Sequence, residues 1–114
     1  MNISDNPQVK FLSKALDVYM LRQKVTAGNI ANIDTEGYTK HQVKFEEYLQ
    51  TANSSEEFDQ VLPTIEVTGE KVDLDAEMIE MSDTQMRVQM VTRLLRHQMD
   101  MVRMGITGNS NLGS

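Results

Sequence analysis

From Leu74 onward the chain places Leu74, Met78, Met81, Gln85, Val88, Thr92, Leu95, Met99, Val102 and Ile106 at alternating four- and three-residue steps without a slip. Eight of these ten are apolar. Strict alternation of this kind is the a/d seam of a coiled coil, narrower than the face a helix turns to a globular core. The spacing predicts a helix from about Leu74 to Ile106, roughly 50 Å long at the usual rise per residue. Such a seam demands a partner helix. Asp73 is placed to cap the helix, and Asp75 and Glu77 lie in its first turn, where the positive end of the helix dipole favours carboxylates. Arg96 and Arg103 sit near the opposite end, which Gly105 with Gly108 is expected to close.

A partner is available near the N-terminus. Asn6-Pro7 is a helix start signal, because Asn caps well and Pro suits the first helical position. The helix it opens should run to about Asn32 and span roughly 39 Å. Its apolar positions Val9, Leu12, Leu16, Tyr19, Ala27 and Ile30, interrupted by Gln23, form one stripe. Val18, Leu21 and Val25 form a narrower companion. The two terminal helices can pair as an antiparallel hairpin, but a two-helix pair leaves Ile79, Met86, Met90, Leu94, Met101 and Met104 uncovered. Seven of the nine Met residues fall between Met78 and Met104. Met packs well against irregular or non-identical neighbours, and it equally serves as plain core.

The middle differs from both ends. Short extended candidates at Gln42 to Phe45 and Thr64 to Thr68 flank the polar run Thr51 to Glu57, and Pro63 argues against a central strand. An irregular connection or a small β-hairpin is expected, with Asn53 to Glu57 its most mobile part. The fold class is therefore mainly α: two long terminal helices in a coiled-coil-like antiparallel pair around a short irregular or hairpin middle. The corresponding organisation is residues 1–38, 39–71 and 72–114, within a chain of 114 residues that holds one domain at most. Charge follows the same division: residues 1–32 carry +2, residues 33–86 carry −11 and residues 87–114 carry +3. Complementary patches of this kind steer association between neighbouring chains. A solvated acidic loop that keeps the chain soluble is the other reading.

Where the first helix should stop, the chain reads Ala27-Gly28-Asn29-Ile30-Ala31-Asn32-Ile33-Asp34-Thr35-Glu36-Gly37-Tyr38-Thr39. Asn and Asp side chains compete with helical hydrogen bonds, so Asn29, Asn32 and Asp34 weaken the helix progressively, and Gly37 permits a sharp turn. The pattern Ala-x-Asn-Ile-Ala-Asn-x-x-Thr-x-Gly-Tyr, with Asn29, Ile30, Ala31, Asn32, Thr35, Gly37 and Tyr38 as its motif residues, resembles the rod and hook class of bacterial flagellar axial proteins. Ala15-Leu16-Asp17, Arg22-Gln23, Phe45 with Leu49, and Val72 to Met78 extend the resemblance over nearly the whole chain, and the short middle is most similar to the proximal rod branch. Phe11 to Ala15 also resembles the Phe-led segment of early flagellar export substrates.

The resemblance implies a structural subunit of the flagellar basal-body rod that polymerises through its terminal helices and transmits torque without chemistry. The helix-packing and assembly residues would be Leu12, Leu16, Tyr19, Ile30, Leu74, Met78, Met81, Val88, Leu95, Met99, Val102 and Ile106. Partners would be other rod subunits, the adjoining ring or adaptor proteins, and further copies of the chain in the assembled rod. The location implied is the periplasmic rod, reached by type III export without a cleaved signal peptide.

The residues exclude several other classes. There is no Cys, so no disulfide or thiolate site exists. No run approaches the roughly 20 apolar residues of a transmembrane helix, and the N-terminus lacks a hydrophobic segment with a small-residue cleavage site. His41 and His97 have no spaced partners for a metal site, and no Ser, His and Asp set takes catalytic roles. No cofactor is implied. Arg87, Arg93, Arg96 and Arg103 line one helix, but a pI near 4.8 opposes a phosphate backbone, which excludes nucleic acid. A cytoplasmic coiled-coil adaptor or export chaperone accounts for the heptads and leaves Asn29 to Tyr38 unexplained.

Overall fold

The computed structural model describes residues 6–45 and 61–112, with side chains as far as residue 105. Leu49, the run Asn53 to Glu57 and the side chain of Ile106 lie outside the described residues. The described chain runs α1 (Pro7–Ala31), β1 (His41–Lys44), β2 (Thr64–Val67) and α2 (Leu74–Leu112). It is mainly helical, with a small antiparallel hairpin between two long helices.

The helix starts follow local chemistry. Asn6 Oδ1 accepts hydrogen bonds from the Gln8 and Val9 amides at 3.0 and 3.1 Å, and Pro7 fills the first helical position. Asp73 Oδ1 does the same for Asp75 N at 3.1 Å and Ala76 N at 3.5 Å. The expected stop at Gly105 does not occur, and α2 continues to Leu112. Among the described residues the glycines with positive φ are Gly37 and Gly69, so Gly105 stays helical and supplies no left-handed cap. An interior glycine costs roughly 1 kcal/mol against Ala, which weakens a helix without ending it.

The helices are antiparallel. Asn29 meets Glu77, and ten residues back along α1, Tyr19 meets Arg87, ten residues forward along α2. The radius of gyration is 18.4 Å and the extents are 68 × 28 × 16 Å, against about 13 Å expected for a compact chain of this length. The apolar core among the described residues is correspondingly thin: Val9, Val18, Phe45, Val72 and Val91.

β1 and β2 pair in the register His41 with Val67, Gln42 with Glu66, Val43 with Ile65 and Lys44 with Thr64. The ladder continues past the strand ends through Thr68 N to Lys40 O at 2.9 Å and Lys40 N to Glu70 O at 2.7 Å. Lys44 Nζ lies 3.0 Å from Glu66 Oε2 across the pair. Pro63 stands immediately before β2, where a missing N–H costs no ladder bond.

The contact line between the helices is rotated from the line of greatest hydropathy. On α2 the buried or half-buried residues include Glu77, Met81, Thr84, Val88, Val91, Leu95, Gln98 and Val102, again at alternating four- and three-residue steps, with Thr92 and Met99 half-buried beside them. Met81, Val88, Leu95 and Val102 belong to both lines. Glu77 and Thr84 stand in the contact where the apolar pattern had Met78 and Gln85, while Val91 and Gln98 share it with Thr92 and Met99. Leu74 and Met78 are 43% and 56% exposed. The rotation has a cause in polar pairing, because Glu77 is drawn in by Asn29 and Lys40. On α1 the stripe also changes along its length. Val9 is buried with Leu12, Leu16 and Tyr19 half-buried, whereas beyond Val18 the buried positions are Thr26 and Asn29, and Ala27 is exposed.

Candidate functional site

At the end of α1 the Asn29 amide is buried and uses its full hydrogen-bonding capacity. Its Nδ2 donates to the His41 carbonyl at 2.8 Å and to Glu77 Oε2 at 3.1 Å. Its Oδ1 accepts from the Tyr38 hydroxyl at 2.8 Å and from His41 N at 3.0 Å. Two donors and two acceptors are all that an Asn side chain offers. One residue thereby fixes the start of β1, the turn before it and the start of α2 against the end of α1.

The turn from Asn32 to Tyr38 is built from its own polar side chains. Asn32 ends α1, with its Nδ2 donating to the Gly28 carbonyl at 2.8 Å and its Oδ1 accepting from Thr35 Oγ1 at 3.1 Å. Backbone bonds Thr35 N to Asn32 O at 2.9 Å and Tyr38 N to Thr35 O at 3.1 Å carry the chain round. Gly37 sits at φ +80°, where a Cβ is disfavoured. The Tyr38 and His41 rings then stack with centroids 4.8 Å apart, and His41 Nδ1 lies 2.9 Å from the Thr39 carbonyl oxygen.

Glu77 carries the electrostatics of the joint. Its side chain is almost wholly buried, with Oε2 accepting from Asn29 and Oε1 3.3 Å from Lys40 Nζ. Breaking such a pair leaves a buried charge uncompensated, so Lys40 and Asn29 are both needed to hold it. Burial, and then the nearby Glu77 charge, push the Tyr38 phenol above its ordinary pKa, because both disfavour a phenolate there. Among the described residues, no buried side-chain nitrogen or oxygen lacks a hydrogen-bond partner. A polar cleft beside the joint is lined by Arg22, Thr26, Lys40, Glu77 and Glu80.

Further along the pair, Tyr19 lies between two guanidinium groups, with Arg22 and Arg87 5.7 and 5.8 Å from its ring centre. The Tyr19 hydroxyl and then Asp83, whose Oδ2 is 2.9 Å from Arg87 Nε, hold the Arg87 charge and raise its pKa.

The structure thus gathers Asn29, Tyr38, Lys40, His41 and Glu77 into one cluster, with Asn32, Thr35 and Gly37 shaping the turn that delivers Tyr38. Ile30 is half-buried and Ala31 is exposed. Of the residues expected to pack helices, Met81, Val88, Leu95, Met99 and Val102 are half-buried on α2, whereas Leu74 and Met78 are open. Lys40, His41, Thr26 and Thr84 carried no signal in the apolar pattern. Glu77 was legible only as a first-turn carboxylate. The seven-residue spacing of Glu77, Thr84, Val91 and Gln98 was the available clue.

No group of three or more His, Cys, Asp or Glu residues able to hold a metal gathers among the described residues. No described helix is long and apolar enough to cross a membrane. The hydrogen bonds of the joint order backbone and side chains where α1, β1 and α2 meet.

Residues 15–39 match the family described as flagella basal body rod protein. The matched stretch begins at Ala15 in α1 and takes in Asn29 and the whole turn to Thr39. Over this stretch the chain is similar to the flagellar basal body rod proteins. It is also similar to the flagellar basal body rod protein FlgB of Borreliella burgdorferi, with 28% identity over 78% of this chain and 87% of that one.

Proposed function

We propose that the chain is a structural subunit of the proximal rod, polymerising through its terminal helices and transmitting torque. The observation that carries this reading is α2 itself. One side of it is occupied by α1, and the other presents Ile79, Met86, Met90, Leu94, Met101 and Met104 to solvent. An apolar face of that length on a thin two-helix body calls for neighbours. Contacts that do not close on themselves build filaments, which is what a rod requires. The partners are other rod subunits and the adjoining ring or adaptor proteins, and the chain reaches the periplasmic rod by type III export.

The Asn29 joint serves this role by holding the pair in one arrangement, so that every subunit presents the same face. Basal bodies isolated with detergent should contain the chain in stoichiometric amounts with rod components, as read by mass spectrometry. A Met86→Asp, Met90→Asp variant should fold but be missing from them, because a charge would enter a desolvated contact. Its presence at normal levels in intact rods would rule out the outer face as the assembly surface.

A further inference from the structure

The exposed stripe on α2 has a second property beside its hydropathy. Ile79, Met86, Met90, Leu94, Met101 and Met104 fall within an arc of roughly 80°, turned roughly 140° from the line that meets α1. It extends roughly 37 Å along the helix. Its flanking charges are segregated by half. Apart from Glu77, which is buried against α1, residues 73–86 hold Asp73, Asp75, Glu80 and Asp83 and no Lys or Arg, while residues 87–103 hold Arg87, Arg93, Arg96 and Arg103 against Asp100 alone.

We propose that in the free chain this stripe is covered by the same stripe of a second copy, with the two α2 helices antiparallel about a two-fold axis near Met90. The charge pattern selects that orientation. An antiparallel copy sets the acidic half of each helix across from the basic half of the other, whereas a parallel copy sets like on like. Helix dipoles favour the same choice. The stripe is self-complementary in size because four of its six residues are Met, which adapts its shape to an identical neighbour. A two-fold contact of this kind closes at two copies. The pair therefore withholds the stripe from open-ended contacts until it dissociates. This inference concerns the free chain and does not depend on the rod reading.

The chain lacks Cys, so single introduced cysteines report orientation cleanly. Sedimentation equilibrium of the purified full chain should show a monomer and dimer only, with the dimer weakened by added salt. Met90→Cys should cross-link to itself. Ile79→Cys alone should not, but should cross-link when mixed with Met101→Cys. Met90→Glu should weaken the dimer about tenfold or more while leaving the helical circular dichroism unchanged. Should that variant lose helix, Arg93→Glu on the exposed flank provides the same reading. A chain that stays monomeric at the highest concentration reached, growth beyond the dimer, or self-cross-linking of Ile79→Cys would each overturn the proposal. None of these would alter the basal-body test, so the two ideas fail separately.

Discussion

Asn29 Nδ2 donates to Glu77 Oε2 at 3.1 Å, joining two side chains 48 positions apart that are each about 1% exposed. Neither has water to fall back on. The partners of one are therefore conditions for the burial of the other, and the cost of removing either exceeds the worth of a single surface hydrogen bond.

Asn29→Ala should lower the free energy of unfolding by about 2–4 kcal/mol, since it strips a donor from buried Glu77 and leaves the Tyr38 hydroxyl and His41 amide unpaired. Asn29→Asp should be at least as damaging, because it sets a second carboxylate against Glu77. Urea unfolding read by circular dichroism decides the matter. A loss of no more than about 0.5 kcal/mol would mean that the joint relaxes without it.

The ion pair is testable by its coupling. Lys40→Met and Glu77→Gln, made singly and together, should show an interaction of roughly 1 kcal/mol, because the two groups are 3.3 Å apart with Lys40 only partly exposed. Additive losses would show that Glu77 is held by Asn29 alone.

Two glycines should respond with opposite sign. Gly37→Ala forces a Cβ onto φ +80° and should cost roughly 1 kcal/mol or more. Gly28 lies inside α1 with nothing within 4 Å of where a Cβ would stand, so Gly28→Ala should stabilise by roughly 0.5–1 kcal/mol. Thermal or urea midpoints measured side by side check both, and equal effects would contradict the turn geometry.

Tyr38 gives the chain an alkaline limit. Its phenol holds the proton more tightly folded than unfolded, owing first to burial and then to the Glu77 charge. That stability is complete below the unfolded value of about 10 and disappears as pH rises through the higher folded value. Tyr38→Phe should lose about 1 kcal/mol at neutral pH, the bond to Asn29 being gone. It should also show a shallower decline in stability at alkaline pH. Parallel stability profiles for the two proteins would refute this assignment.

Helix existence and order were legible because both signals are local: Asn6-Pro7 and Asp73 cap where their residue types say they should, and three- and four-residue spacing marks the rest. The strands were legible to within a residue from their flanking polar run and Pro63. What apolar periodicity could not show is which side of α2 meets α1. Hydropathy favours Met78 over Glu77, and only the complementary amide of Asn29, far away in sequence, reverses the choice. The Asn29 to Tyr38 segment was visible as a helix end and turn, while the half-buried Lys40 and buried Glu77 that complete its cluster became visible only once the chain was folded.

The joint also sets how the helix pair answers force. A line of Val, Leu and Met resists being pulled apart, yet sliding one helix past the other by a heptad, roughly 10 Å, brings a similar apolar line back into contact. The same slide would carry Asn29 from Glu77 to Thr84, abandoning Lys40's partner and the hydrogen bond the amide makes across the pair. Shear along the axis is thus opposed by directional bonds concentrated at one end, and separation by dispersed contacts along the length. The pair is stiffest against sliding where the hairpin is anchored.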